Sequence, residues 1–345
     1  MSTDEIPGID PVRVGAWLDA NVADSAGPYR FDLIAGGRSN LTFRVTAGDG
    51  ATFVLRRPPL GHVLATAHDM GREFRIISAL QGSGVPVAPA LGMCADEAVN
   101  GAPFYVMGYV DGKVLDSPVA GASISMEARA TASQELVDVL VRLHSIDPAS
   151  VGLGELGKRD GYLARQLRRW STQWANSKTR ELPIVDEVHR RLEENQPAQS
   201  TSGIVHGDYR LGNCLTDPAT GHLRAVLDWE LCTLGDVLAD VGYLLVYWSD
   251  PTGPQLAEND PSGQPGYPSR AEMVERYARA TGRDVAEIRY YEAFSCWRLA
   301  CIAEGVRARY QAGVMGDDGG YAVTAEDRVA LLAQRSIDLL DSIAR

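Results

Sequence analysis

The chain has 345 residues, 45% hydrophobic and 23% charged, with a formal net charge of −12. That length allows one bilobal unit or two modest domains around a large core. The acidic balance argues against broad binding to nucleic acid or to anionic membranes, both of which need a cationic surface, although a local arginine cluster would still suffice for an anionic substrate.

The start, MSTDEIPGIDP, lacks the basic flank and apolar run of a signal peptide. A short N-terminal helical extension is expected, followed by strands at 30–34, 41–46 and 52–56. Asp49-Gly50 reads as a hairpin turn, since glycine supplies the positive φ that such turns require. A helix is expected over 66–81, with Phe74, Ile77, Ala79 and Leu80 on one side, broken by the Gly- and Pro-bearing 82–89. Strands at 90–95 and 103–109 flank a polar turn at Asn100-Gly101.

Beyond Asp111-Gly112 the pattern turns helical. Residues 127–146 carry Leu136, Val137, Leu140, Val141 and Leu143 at helical spacing, and 161–175 and 185–194 follow. Three short β-like pieces lie between 202 and 229. Helices then run to the end, one opening with a Ser269…Glu272 capping box, in which hydroxyl and carboxylate each satisfy an orphan backbone donor. The most apolar stretch, 237–248, is too short to cross a bilayer, and 251–268 is the most loop-like. The cysteines at 94, 214, 232, 296 and 301 form no CxxC pair and no Cys/His cluster. They read as reduced, mostly buried thiols of a cytoplasmic protein without a structural metal. The sum is an α+β, bilobal chain, with a β-rich lobe at 1–108 and a mostly helical lobe at 109–345. A ligand is expected in the cleft between such lobes.

The densest chemistry is His206-Gly-Asp208-Tyr-Arg-Leu-Gly-Asn213, followed by Leu227-Asp228-Trp229-Glu230. Phosphoryl transfer asks little covalent chemistry of a protein: the acceptor hydroxyl must be positioned, its proton taken and the phosphate charge neutralised. Asp208 is placed to take that proton. Asn213 and Asp228 offer the hard oxygens that Mg²⁺ prefers. Asp and Asn also serve as ordinary turn and cap residues; the second motif at a suitable distance sets these apart. His206 is expected to orient the loop rather than move a proton, and His144 to be a packed or capping histidine. Asp236 and Asp240 open the next helix, where carboxylates favour the N-terminal dipole, and Asp236 alternatively bonds back to the loop.

HGDxxxxN followed by D-W-E resembles the aminoglycoside phosphotransferase-type variant of the kinase HRDxxxxN and DFG pair. The resemblance implies a protein-kinase-like fold, ATP (or GTP) and Mg²⁺ as cofactors, Asp208 as catalytic base, and Asn213 and Asp228 as metal ligands. Gly36-Gly37-Arg38-Ser39-Asn40 then takes the place of the phosphate-covering loop, with Gly37, Arg38, Ser39 and Asn40 at the nucleotide. Val54-Leu55-Arg56 stands where kinases read V-A-I-K, so Arg56 replaces the phosphate-holding lysine, and Glu73 is its expected ion-pair partner. Arg57 should point to the opposite face by strand alternation. Met107, Gly108 and Val110 occupy the adenine-pairing hinge.

The Leu-Arg-Arg-Pro-Pro run, the His-Asp-Met-Gly-Arg-Glu-Phe segment and Gly161–Trp170 further resemble the kinase-like domain fused to some acyl-CoA dehydrogenases. Arg165, Arg168, Arg169 and Trp170 form either an acceptor-facing cationic strip or a solvated basic face. Tyr290–Gln311, with Trp297, Arg298, Glu304, Arg307 and Arg309, is a second candidate wall. The expected partner is a small-molecule acceptor: a hydroxylated metabolite or hydroxyacyl compound is favoured over an aminoglycoside. A non-catalytic, nucleotide-binding pseudokinase is the alternative, supported by the lysine replacement at Arg56.

Overall fold

The computed structural model describes residues 6–35, 40–60, 69–250, 257, 260–313 and 321–343. The chain divides into two compact units, Met1–Asp111 and Gly112–Arg345.

In the first unit, α1 (Pro11–Asn21) begins where the Asp10 carboxylate accepts from the Val12 and Arg13 N–H groups, with proline at the first helical position. The sheet is wholly antiparallel in the order β1 (Arg30–Ala35), β2 (Leu41–Thr46), β3 (Thr52–Arg57), β5 (Phe104–Gly108), β4 (Ala90–Cys94). The expected hairpin forms at Asp49-Gly50, where Gly50 sits at φ +90° and the Asp49 carboxylate accepts from Ala51 N–H at 2.9 Å. The register aligns Phe43, Leu55 and Val106 across three strands. These join Phe31, Phe53 and Phe104 in a core closed by Val14 and Leu18 of α1. Each such side chain contributes about 1.5–3 kcal/mol by burial.

The opposite face aligns Thr42, Arg56 and Tyr105 and packs against α2 (Met70–Leu80). That helix begins at Met70 because the Asp69 carboxylate caps it, accepting from Arg72 N–H. The expected start, 66–68, lies outside the described residues. The polar turn expected at Asn100-Gly101 proves to be the end of a single helical turn, α3 (Glu97–Asn100), capped by Asp96. An acidic cap just after β4 was sufficient to wind it.

The second unit contains α4 (Pro118–Ala122), α5 (Met126–Ser145), α6 (Tyr162–Ser177), α7 (Pro183–Glu194), α8 (Leu238–Val246), α9 (Arg270–Thr281), α10 (Ile288–Gln311) and α11 (Tyr321–Ile343). Ser269 and Glu272 form the expected capping box on α9. Helix α10 is buried all round its Tyr290–Cys301 stretch and packs on α6, α7, α8 and α11. Two small sheets complete the unit. One orders β6 (Lys113–Val114), β8 (Cys214–Thr216) and β9 (Leu223–Val226); the other pairs β7 (Gly203–Val205) with β10 (Thr233–Gly235). Between them they carry the HGDxxxxN loop and the segment around Asp228. Among the described residues no helix is long and apolar enough to cross a membrane, and all five cysteines are buried free thiols.

Candidate active site

Strand β7 is fully buried and delivers the chain to His206 at the start of the loop. What holds the loop is Asp240, in the first turn of α8 and inaccessible to solvent. Its Oδ2 accepts from His206 N–H at 2.7 Å and its Oδ1 from Gly207 N–H at 2.8 Å. Burial pushes this carboxyl up, but the hydrogen bonds from His144 and from the Gly207 N–H outweigh it and hold it below the usual range. Asp236 does not bond to the loop. It accepts from Thr201 and Tyr291 hydroxyls, each at 2.6 Å, and so ties the strand entrance to α10.

His206 is fixed on both sides. Nε2 faces the Leu227 carbonyl at 3.0 Å and must donate; Nδ1 accepts from Asp208 N–H at 3.1 Å. Both partners are satisfied by one neutral tautomer, and neither nitrogen is open to a substrate proton. His144 is held in the same way, with Nε2 donating to Asp240 Oδ2 at 3.2 Å and Nδ1 accepting from Tyr277 at 2.8 Å. Burial lowers its basicity, so the neutral ring is the stable form.

Asp208 and Asn213 form one device. The Asn213 Nδ2 donates to the Asp208 carbonyl at 2.7 Å and to its Oδ2 at 2.6 Å. Both partners are acceptors, so the amide NH₂ must face them and Oδ1 points elsewhere. A hard carbonyl oxygen is thereby presented beside a carboxylate. Asp228 follows β9 at φ +62°, ψ +64°, a left-handed conformation uncommon for a non-glycine residue and typical of functional sites. These donors fit Mg²⁺, which takes one or two protein oxygens and completes its shell with phosphate and water. Among the described residues no group of three or more His, Cys, Asp or Glu gathers at metal-binding distance.

Two arginines complete the loop: Arg210, to which the motif reading gave no role, and Arg298, which it named only as part of a second candidate wall. Arg210 lies with Nε 3.8 Å from Asp208 Oδ1 and its guanidinium 5.0 Å from the Tyr247 ring centre. Gly212 is required for this, because a Cβ there would lie 1.9 Å from Arg210 Nη1. Arg298 of α10 is 4% exposed and donates to the Gly207 carbonyl at 2.5 Å. The sequence did carry a signal for both Asp240 and Arg298: each is a lone charge inside an apolar helical run, a placement that demands a specific partner.

In the first unit, Arg56 Nε pairs with Glu73 Oε2 at 3.0 Å, and Glu73 also accepts from Tyr105 at 3.0 Å and from Asn40 Nδ2 at 2.9 Å. Arg57 turns to the other face, where it bonds the Gly8, Pro58 and Asn100 carbonyls. Met107, Gly108 and Val110 are half-buried at and beyond the end of β5. Gly37, Arg38 and Ser39 lie outside the described residues.

The α6 residues separate. Arg169 is exposed and lies over the Trp170 ring at 5.4 Å, and Arg298 lies over the same ring at 5.4 Å. Arg165 is turned back onto the Lys158 and Asp160 carbonyls, and Arg168 is exposed without joining this group.

Comparison with known proteins identifies the family. The model of the phosphotransferase enzyme family (APH) matches residues 30–308. Acyl-CoA dehydrogenase family member 10 of Mus musculus is 36% identical over 295 residues, which are 84% of this chain and 27% of that protein. Family member 11 of Rattus norvegicus is 35% identical over 314 residues, 88% of this chain and 39% of that protein. The chain therefore spans well under half the length of these relatives. A solved structure of a Ralstonia eutropha protein, assigned by name to the aminoglycoside phosphotransferases, superimposes with a TM-score of 0.82 at 32% identity, covering 96% of this chain and 98% of that one. The GDP complex of aminoglycoside 2'-phosphotransferase-IIIa shares the fold alone, with a TM-score of 0.65 at 12% identity over 94% and 99% of the two chains. The chain belongs to the phosphotransferase enzyme (APH) family, with the protein-kinase-like fold of its solved neighbours.

Proposed function

We propose that the chain transfers the γ-phosphoryl group of ATP, or of GTP, to a hydroxyl of a small molecule, a hydroxylated metabolite or hydroxyacyl compound rather than an aminoglycoside. The observation that carries this reading is the locked Asp208–Asn213 pair, which presents a carboxylate and a free amide oxygen side by side. Asp208 takes the proton of the acceptor hydroxyl as the new P–O bond forms and the bond to the β-phosphate oxygen breaks. Asn213 Oδ1 and the Asp228 carboxylate are the residues that would hold Mg²⁺, whose contribution when bound is to neutralise phosphate charge. Arg56, kept in place by Glu73, and the 36–40 loop steady the phosphates, while Met107, Gly108 and Val110 receive the adenine. Residues 1–108 then act as the nucleotide lobe and 109–345 as the catalytic and acceptor lobe, in a cytoplasmic enzyme. On the acceptor side, Arg169 and Trp170 are the better-placed members of the α6 set.

The test is ATP consumption by the full chain with Mg²⁺ against aminoglycosides, hydroxy acids, hydroxyacyl thioesters and sugars, with Asp208→Ala as control. The variant should keep nucleotide affinity and lose about 10²–10⁴-fold in turnover. Tight nucleotide binding with no acceptor turning over faster than in the variant would favour the pseudokinase alternative, for which the arginine at position 56 speaks.

A further inference from the structure

On the face of β3 turned away from Arg56, Arg57 lines an open cleft of about 450 Å³ together with Ile6, Pro7, Asp10, Leu60 and Asn100. Arg57 is 6% exposed. Its Nε donates to the Pro58 carbonyl at 3.1 Å and its Nη1 to the Gly8 and Asn100 carbonyls, all neutral acceptors. Nη2 makes no hydrogen bond to the described residues. Asn100, also 6% exposed, accepts from Asp10 N–H through Oδ1 at 2.9 Å, which fixes the amide and leaves Nδ2 as a buried donor without a partner. The 3.2 Å bond from Arg57 Nη1 to the Asn100 carbonyl holds the two residues together. One side of a guanidinium and a carboxamide NH₂ are thus left without acceptors at one cleft.

The carboxylates nearby do not answer Arg57. Asp10 accepts from the Val12 and Arg13 N–H groups and faces the Arg13 guanidinium at 3.6 Å. Asp96 caps α3, accepting from Ala98 N–H at 2.9 Å, and Glu97 beside it is exposed. Burial alone lowers the basicity of Arg57, with no neighbouring carboxylate to raise it. A buried guanidinium with neutral partners and donors to spare is costly, and a single oxyanion supplies both the missing charge and the missing acceptors. The rest of the cleft is apolar: Leu60 is 55% exposed, Pro7 is exposed and Ile6 is half-buried. Its volume falls in the range of about 300–1,000 Å³ usual for small-molecule sites.

We infer that this cleft binds a small amphiphile with one oxyanionic head, a carboxylate or a phosphate. Arg57 and Asn100 take the head, and Ile6, Pro7 and Leu60 take the apolar body. No bond is made or broken there. The site lies across β3 from Arg56, so it is separate from the phosphate position proposed above and stands whether or not the chain transfers phosphate.

Calorimetric titration of the full chain with octanoate, octyl phosphate and 1-octanol tests this, with and without Mg²⁺ and a saturating non-hydrolysable ATP analogue. At least one anion should bind one-to-one and about ten-fold or more tightly than octanol, equally well with the analogue present. The tighter of the two anions assigns the head to a carboxylate or to a phosphate. Arg57→Gln should erase the preference over octanol. Because that change also loosens three backbone carbonyls, Leu60→Asp is the second variant: at an exposed position it should keep the wild-type melting midpoint and weaken the anion several-fold. Octanol bound as tightly as both anions, no anion bound, displacement by the analogue, or a preference that survives both substitutions would overturn the site. Binding seen only in a chain lacking residues 1–5, which include Asp4 and Glu5, would give the cleft to the chain's own acidic start and overturn it as well.

Discussion

In the N-terminal unit, β3 sends two neighbouring arginines to opposite faces. Arg56 meets a buried carboxylate, Glu73, and Arg57 meets three backbone carbonyls. In the C-terminal unit the pattern is reversed around one loop. The carboxylate Asp240 is satisfied by backbone N–H groups and a neutral histidine, whereas the guanidinium of Arg298 meets a carbonyl and two rings and keeps a buried Nε without a hydrogen bond. The first unit holds charge with charge, in the pair to which the proposed function gives the phosphates. The second holds a loop with charges that have few substitutes, so its variants should fail more sharply.

The largest effect on folding is expected at Asp240. In Asp240→Asn an NH₂ replaces one oxygen and confronts either Gly207 N–H or the donors of His206 and His144. An unmet buried donor with the loss of a charge-assisted bond costs roughly 2–4 kcal/mol. For a unit of this size that lowers the melting midpoint by about 5–15 °C. Scanning calorimetry measures it, and a midpoint equal to wild type would mean that the loop is anchored elsewhere.

A smaller, divided effect is expected on β3. Arg56→Ala should raise the KM for ATP about 10–100-fold by removing one charge-assisted contact. Arg56→Lys, which restores the usual kinase residue, should stay within a few-fold of wild type. Arg57→Ala should leave that KM alone and lower stability by about 1–3 kcal/mol as the Gly8, Pro58 and Asn100 carbonyls lose their donor. Were Arg57→Ala to change nucleotide KM as much as Arg56→Ala, the division of labour across the strand would be wrong.

The contrast between units also explains what could be read before folding. The faces of Arg56 and Arg57 follow from a period of two, so alternation along six residues is sufficient. The hairpin at Asp49-Gly50 and the capping box at Ser269…Glu272 are equally local. The partners of the catalytic loop are not: Asp240 is about 30 residues from it and Arg298 about 90. Position around the start of α8 made Asp236 and Asp240 look alike, and only the tertiary packing of that region assigns one to the loop and the other to Thr201 and Tyr291. The α6 arginines show the same limit. Helical spacing put Arg165 and Arg169 on one face, but a local choice of backbone carbonyls turned Arg165 back on its own N-terminus.

The smallest effect should appear as a slope in pH. His144 is enclosed by Tyr277 of α9, by Asp240 and Asp236 around the start of α8, and by Arg283, whose guanidinium bonds the His144 carbonyl. Its basicity in the folded chain is lowered, chiefly by burial, then opposed by Asp240. The unfolded chain therefore takes up the proton first as pH falls below the ordinary histidine value of about 6.5. Stability from this group is fully present above that value and declines below it, by at most about 1.4 kcal/mol per pH unit for one proton. The carboxylate of Asp240, lowered in its own right, adds a further loss only when pH approaches the range in which unfolded aspartate titrates. His144→Gln keeps an amide donor for Asp240 but has nothing to protonate. Denaturant unfolding at pH 7.0, 6.0 and 5.0 should thus give a shallower decline for the variant than for wild type, despite its lower stability at neutral pH. Parallel declines would mean that His144 is already charged in the fold, and the neutral tautomer shared between Tyr277 and Asp240 would have to be abandoned.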